Sequence, residues 1–457
     1  MAPAAGIATA RCCMSKSIRA SAAALAAAPA EAAAHAFDAR YDLPLPLPLW
    51  LAAAGLAVAL SFAVFALTLR RRTDGGAYPR RALLHLHPLA LAALRAVSVG
   101  VFVVLIAAGL FGTQDPLRNL APAFVWIAWW IGFTYLSAVA GDFWALLNPW
   151  KALYPAGLRG LRRGLPAAVG VWPAAALLLA FAWIEIVWEG NAVPANIAWL
   201  ALGYSALTWA GMFVFGREAW LKSGEVFTVY FGFLARLAPL EVGADNVLYL
   251  RPPAAGLLDS RSTSTSQALF VIVMLATVTF DGLRETPLWA VSDFAWTAAT
   301  TAGLLAMPWV FALVIFGVCA IMGNASPGEL LRLFVPTLLP IALAYHVAHY
   351  LSYLLVAGQV VIPLASDPLG RGWDLFGTAR YQIAVGIVGA RFAWYTSVVV
   401  IVLGHVLAMY VAHRLALERF AERRAARRSQ YPLAALMVAY TMLSLWILAQ
   451  PIVEAGR

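Results

Sequence analysis

The chain has 457 residues, of which 63% are hydrophobic and only 12% are charged, against roughly 25% charged residues in an average soluble domain. This composition excludes an ordinary water-soluble protein, and the long uninterrupted apolar runs exclude a β-barrel, whose strands alternate apolar and polar residues. The net charge is +10. The basic residues lie between the apolar runs and not on one amphipathic surface, so they indicate membrane topology and not nucleic-acid binding.

The first 36 residues form an alanine-rich leader. Lys16 and Arg19 precede an apolar stretch, as in a secretory signal peptide, but Glu31 interrupts that stretch and its hydrophobicity is weak. A disordered leader is therefore the alternative interpretation. We expect the remaining residues, 37–457, to fold as a single transmembrane helical domain.

Ten apolar segments follow the leader, and each is long enough to cross a hydrocarbon core of about 30 Å as a helix. The predicted fold class is therefore all-α: a polytopic transmembrane bundle of about ten helices. The segments lie at residues 49–69, 89–112, 122–140, 167–188, 194–216, 266–284, 302–323, 332–357, 392–413 and 433–450.

The arginine distribution predicts the orientation of this bundle. Runs such as RRRTDGGAYPRR and RLALERFAERRAARR fall in alternate loops, which places those loops in the cytoplasm and both termini outside. We therefore expect a multi-pass protein of a bacterial inner membrane. Two further stretches, residues 224–240 and 358–391, are predicted to dip into the membrane without crossing it.

Histidines inside the predicted spans are the first candidates for a functional site, because ionisable groups are costly in a bilayer unless they pair or face a cavity. In the eighth span, His346, His349, Tyr350 and Tyr353 share one helix face. Two imidazoles three residues apart suit a metal ion. His405 in the ninth span lies at a similar depth, so a pair with His346 would suit haem iron or copper. The alternative is that these histidines hydrogen-bond between helices and have a packing role.

Carboxylates near the same predicted outer leaflet complete the candidate site. Glu185 and Glu189 end the fourth span, and Asp281 and Glu285 end the sixth, each pair at i, i+4 spacing. Histidine with carboxylate is a typical set for metal-assisted hydrolysis, with Asp281 and Glu185 as the catalytic acids and His346 and His349 as metal ligands. Alternatively, Asp281 is a plain helix end, and Arg284 and Glu285 are solvated interface charges.

Several segments resemble bacterial multi-span membrane proteins of the fenitrothion hydrolase family, in which the membrane component belongs to an enzyme that hydrolyses an organophosphate. The resemblance implies hydrolysis of an uncharged aryl phosphotriester that arrives from the lipid, with a second membrane subunit as partner. The segments are AHAFDARYDLPLPLPLW, VWIAWWIGFTYLSAVAGDFWALLNPWKALY, LYLRPPAAGLL, TFDGLRETPLW, LAYHVAHYLSYLLVAGQ, SDPLGRGWDLFGTARY and MVAYTMLSLWILAQPIVE.

Two other functions remain open on the residues alone. One is a redox or metal-handling protein in which His346, His349 and His405 bind haem or copper without hydrolysis. The other is a transporter subunit in which the intramembrane histidines and acids relay protons. No glycine-rich phosphate loop or nucleophile-elbow motif is found in the chain, so any active site is expected within the bundle.

Overall fold

Ten helices that are long and apolar enough to cross a membrane make up most of the described chain. The structure is a computed structural model, and it describes residues 41–69, 78–155, 158, 160–161, 164–243, 245–258, 263–289, 295–323, 325–420 and 422–454. The predicted leader, residues 1–36, lies outside them. The ten helices are α1 (Leu47–Thr68), α2 (Pro88–Phe111), α3 (Leu120–Ala140), α4 (Ala167–Ile186), α5 (Pro194–Phe215), α6 (Thr265–Arg284), α7 (Trp296–Met322), α8 (Pro327–Ser366), α9 (Ala390–Arg419) and α10 (Arg423–Ile452).

All ten predicted spans correspond to these helices, so the all-α bundle is confirmed. Several helices are not continuous. The middle of α3, Phe124–Ile131, is a π-helix, α4 starts with a 3-10 turn, and α10 is interrupted at Gln430. Helix α8 consists of the pieces Pro327–Phe334, Leu338–Ala357 and Val361–Ser366 with 3-10 turns between them. Pro336 lies in the first of these turns and has no backbone N–H to continue the helical ladder.

Helices α6 and α8 form the centre of the bundle. In their most apolar windows 83% and 78% of residues are buried, whereas the figure is 17% for α1 and 6% for α2. Helix α6 packs against α4, α7 and α8, and α8 packs against α9. Polar side chains on α6 and α8 are therefore held inside the protein and not against lipid.

The two ends of the described chain meet. Strand β1 (Tyr41–Asp42) pairs in parallel with the last strand, β5 (Val453–Glu454). Helix α1, which follows β1, packs chiefly against α9 and α10, the last two helices of the chain. This arrangement places both ends on one side of the bundle, as an even number of crossings requires.

A small antiparallel sheet joins the chain between α1 and α2 to the chain between α5 and α6. Its order is β2 (Arg81–His85), β4 (Val247–Leu250), β3 (Leu240–Val242). Within the stretch predicted to dip into the membrane, a short buried helix, Val226–Leu234, precedes this sheet. Arg251 follows the sheet and donates to the carbonyls of Ala235 and Ala238 just beyond that helix. The other short helices are Trp144–Leu147, Pro149–Leu153, Arg217–Ser223 and Ala255–Leu258.

Candidate active site

Asp281, in the last turn of α6, is the centre of a buried polar cluster. Its side chain faces α8, where the Nε2 atom of His349 lies 3.0 Å from Oδ2 and the hydroxyl of Tyr350 donates to the same oxygen. Asp281 is only 4% exposed and His349 8%. Because a carboxylate accepts only, His349 carries its proton on Nε2 and donates it to Asp281.

A cation balances the charge of Asp281. Arg284, one turn further along α6, donates from Nε to Oδ1 of Asp281 at 2.8 Å, and its NH2 group lies 3.3 Å from Oε1 of Glu285. The side chain of Arg284 is 12% exposed. The alternative prediction, in which Arg284 and Glu285 are solvated charges at a plain helix end, does not agree with this burial.

A glycine permits the close contact between α6 and α8. A Cβ atom at position 282 would lie 2.2 Å from the hydroxyl oxygen of Tyr345, so any larger residue at Gly282 displaces that side chain. Tyr345 is fully buried and its ring lies 6.3 Å from that of His349. The local sequence Asp281–Gly282 therefore positions the carboxylate and also admits the neighbouring helix.

His346 lies beside the cluster but faces another neighbour. Its ring packs edge-on against Tyr135 of α3 at 5.5 Å and lies 4.7 Å from the ring of Tyr350. It is 4% exposed, and neither ring nitrogen has a hydrogen-bond partner among the described residues. Most buried polar groups are paired, so an unpaired imidazole makes His346 a candidate functional residue.

The π-helical part of α3 supplies an aromatic wall to this site. Trp130 lies 6.4 Å from the His346 ring, and Tyr135, in the α-helical piece that follows, donates to the backbone carbonyl of His346 at 3.1 Å. π-Helical segments re-aim side chains and are frequent at functional sites. Here the segment brings Trp129 and Trp130 side by side, with ring centroids 6.4 Å apart.

The two predicted glutamates of the α4 end have different places. Glu185 is half-buried, hydrogen-bonds the Trp130 side chain and interacts electrostatically with Asp281. Glu189 is exposed in the turn that follows α4 and does not join the cluster among the described contacts. The structure therefore brings together Asp281, His349, His346 and Glu185.

The described contacts of His405 differ from those of the other two histidines. Its Nδ1 bonds to the carbonyl of Ile401 at 2.8 Å, and its ring faces Tyr440 of α10 at 5.9 Å. The described ring contacts of His346 are with α3 and α8, and the predicted His346–His405 pair is not among them. Like His346, His405 is buried, and its Nε2 has no partner among the described residues.

A ready ligand set for a metal ion is not found in the part of the chain that the structure describes. No group of three or more His, Cys, Asp or Glu side chains there has the placement that a metal requires. The Nε2 atom of His349 is already engaged by Asp281. The residue types suit a metal, but their arrangement as it stands does not fit one.

A second buried carboxylate was not predicted. Glu225 is fully buried at the start of the helix Val226–Leu234 and accepts hydrogen bonds from the side chains of Tyr204, Asn148 and Trp144, among other donors. Burial raises the pKa of neighbouring Asp142, although the Ala145 backbone N–H opposes this rise. The sequence signal for the buried carboxylate was the position of Glu225 inside the apolar stretch GEVFTVYF.

A cavity of about 740 Å³ lies between α2, α3, α4, α5 and the helix Val226–Leu234. Among the described residues that line it none is charged, and Ser98, Asn196 and Tyr204 are its few polar members apart from tryptophan. Its aromatic lining consists of Phe102, Phe124, Trp126, Trp129, Phe133, Trp144, Trp150, Phe181, Trp188, Trp199, Tyr204 and Phe227.

The aromatic wall of α3 separates this cavity from the polar cluster. Trp129 and Phe181 line the cavity, while Trp130, which contacts both of them, also contacts His346. An apolar chamber and a buried polar cluster therefore share one layer of aromatic rings.

Comparison of the chain with protein-family models, with curated proteins and with solved structures finds no match.

Proposed function

We propose that this protein is an integral membrane hydrolase of uncharged lipophilic esters, with aryl phosphotriesters of the fenitrothion type as the substrate class. The observation that carries the proposal is His346: a buried imidazole with two unpartnered nitrogens, next to the ion-paired Asp281–His349–Tyr350 cluster. The resemblance of several segments to the fenitrothion hydrolase family adds the substrate class. The proposed setting is the inner membrane of a bacterium, with both termini outside and a second membrane subunit as partner.

The apolar cavity supports a lipophilic substrate. Ligand pockets for molecules of drug size are about 300–1,000 Å³ and predominantly apolar, and the 740 Å³ cavity falls in this range. A substrate dissolved in the bilayer would enter from the lipid side and stack on Trp129. Movement of Trp129 and Trp130 would then bring the ester to His346.

In the proposed reaction, His346 acts as general base. It removes a proton from water, the resulting hydroxide oxygen attacks phosphorus, and the phosphorus–oxygen bond to the aryl group breaks. The proton on His346 then passes to the departing aryl oxide, so that the histidine returns to its neutral form. Asp281 would stabilise the imidazolium in between, against the opposing effect of His349.

Charge balance agrees with an uncharged substrate. Arg284, the cation of the cluster, already binds Asp281 and Glu285 and is therefore not available as a clamp for a phosphate anion. A neutral triester needs no such clamp, because charge develops only in the transition state. His349 is a positioning residue in this scheme, since it holds the Asp281 carboxylate through Nε2.

The predicted divalent metal, with haem or copper as alternatives, remains a prediction. The donor types of His346, His349, Asp281 and Glu185 suit a metal, but their present arrangement does not, so no step of the proposed reaction passes through one. Metal analysis of purified protein beside the His346→Ala and His349→Ala variants tests the prediction. A visible absorption spectrum tests haem.

The decisive experiment measures phosphotriester turnover in membranes that contain equal amounts of each variant. We expect His346→Ala to lower the rate about 100-fold or more, as for removal of a general base. His405→Ala is the matched control, because His405 is equally buried on the adjacent helix but faces α10. Normal turnover in the His346 variant, or equal losses in both, would refute the proposal.

A second candidate function is proton relay in a transporter, which the hydrogen-bonded group of His349, Asp281 and Tyr350 favours. Intramembrane ionisable groups in such series mark proton pathways in pumps and transporters. Flux measurements in proteoliposomes distinguish the two candidates. Proton-coupled flux that the Asp281→Asn substitution abolishes, without any ester hydrolysis in the wild type, would favour the relay.

A further inference from the structure

We propose a binding site for the phosphate group of an anionic phospholipid at the opposite end of the bundle from the Asp281 cluster. A small pocket of about 160 Å³ lies where the end of α1 meets α9 and the first piece of α10, Arg423–Ser429. This volume is below the roughly 300 Å³ of a ligand pocket but accommodates a headgroup phosphate. The lining residues are Ala66, Leu67, Leu69, His413, Leu417, Arg423 and Arg427.

Two arginines form the cationic wall of this pocket. Arg423 and Arg427 are four residues apart on one helix and thus share a face, and both are exposed. Arg419, by contrast, lies 2.8 Å from Glu329. Among the described residues that line the pocket none is acidic. Paired guanidinium groups are well suited to phosphate oxygens.

A buried histidine forms the base. His413 is 1% exposed, and its Nδ1 lies 3.2 Å from Oε1 of Gln430. The amide nitrogen of Gln430 donates to the Ala426 carbonyl at 2.6 Å, so its oxygen accepts the proton on Nδ1 of His413. The backbone of Leu69, another lining residue of the pocket, also interacts with the His413 side chain. The pocket therefore combines two exposed cations with a buried histidine at its base, and the arginines are the groups that would bind phosphate.

An apolar stripe on α1 indicates a lipid and not a free phosphate. Leu56, Leu60, Val64 and Leu67 lie on one face of the helix and are exposed by 59%, 55%, 52% and 64%. The stripe ends at Leu67, which lines the pocket. From residue 56 to residue 67 the helix rises about 16 Å, roughly half of a hydrocarbon core of about 30 Å. One acyl chain along this stripe places its phosphate at Arg423 and Arg427.

The experiment titrates purified full-length protein in detergent with lipid and follows the midpoint of thermal unfolding. A ligand that binds only the native state raises this midpoint. We expect long-chain phosphatidylglycerol to stabilise the wild type, and phosphatidylcholine or inorganic phosphate to have little effect. In the double variant Arg423→Gln/Arg427→Gln, half-maximal stabilisation should require about 30-fold more phosphatidylglycerol.

The same short helix offers a matched control. Arg424 and Arg428 have the same spacing and are exposed, but they do not line the pocket. The variant Arg424→Gln/Arg428→Gln should keep the wild-type titration, and Arg423→Lys/Arg427→Lys should keep the preference for phosphatidylglycerol. Equal effects of both glutamine variants, loss of the preference in the lysine variant, equal stabilisation by phosphatidylcholine, or full stabilisation by inorganic phosphate would each overturn the proposal.

Discussion

Substitution of Arg284 by glutamine tests whether burial makes the Asp281 ion pair critical for stability. The two side chains are 2.8 Å apart and only 12% and 6% exposed, so the substitution leaves an uncompensated carboxylate inside the bundle. Removal of one partner from a buried pair costs about 3–5 kcal/mol. We therefore expect Arg284→Gln to lower the free energy of unfolding by about that amount. Thermal and denaturant unfolding in detergent measures the change.

The pair of Arg419 and Glu329 is a matched control for this prediction. Its nitrogen and oxygen atoms are also 2.8 Å apart, but its side chains are 41% and 42% exposed. Exposed pairs contribute about 0–1 kcal/mol, because solvent screens them and the long side chains lose entropy. Arg419→Gln should therefore have a small effect. The two variants differ in burial and hardly at all in geometry.

A double variant completes the test. Asp281→Asn combined with Arg284→Gln removes both charges, so it should be less destabilised than the sum of the two single variants. Equal losses in Arg284→Gln and Arg419→Gln, or strict additivity in the double variant, would show that the charge of Asp281 is not compensated by Arg284 and would refute the reasoning.

Three further predictions concern packing, the buried glutamate and the cavity. Gly282→Ala should lower the free energy of unfolding by about 1–3 kcal/mol through its clash with Tyr345. Gly317→Ala is the control, because nothing lies within 4 Å of its Cβ position, and it should not lower that free energy. Equal losses in the two variants would contradict the prediction. Glu225→Ala should cost about 3 kcal/mol, because it leaves several buried donors without an acceptor, and an unchanged unfolding midpoint would count against this account. Gly203→Phe places a ring in the apolar cavity and should raise KM for an aryl phosphotriester about tenfold without changing kcat. An unchanged KM in turnover measurements would show that the substrate does not bind in this cavity.

The ten helices were predictable because the hydropathy of a segment depends only on its sequence, and the length that a spanning helix needs depends only on the thickness of the membrane. Their boundaries in the structure lie within a few residues of the predicted ones for most spans, as for Pro194–Phe215 against residues 194–216. The exceptions, such as α8, extend through short pieces that a hydropathy window does not separate. The sheet β2–β4–β3 was not predicted, because β2 pairs with β4 across more than 150 residues of intervening chain.

The part of the candidate site that depends on residue spacing along a helix was predictable from the sequence. His349, Tyr350 and Asp281 were expected at one level of the bundle, and the structure brings them together. The depth of a residue along a helix does not determine, however, which neighbouring helix its side chain faces. His346 and His349 differ by about 60° around α8, so one faces α3 and the other faces α6. For the same reason His405, at a similar depth, faces Tyr440 of α10.

The packing of α1 against the last two helices has a consequence for biogenesis. While the ribosome delivers α2 to α8, the first helix has none of its principal neighbours and must wait in the lipid bilayer. Its docking is then a late event that follows release of the carboxyl-terminal segment. Chains that stall or are truncated before α9 would expose the face of α1 that packs against α9 and α10.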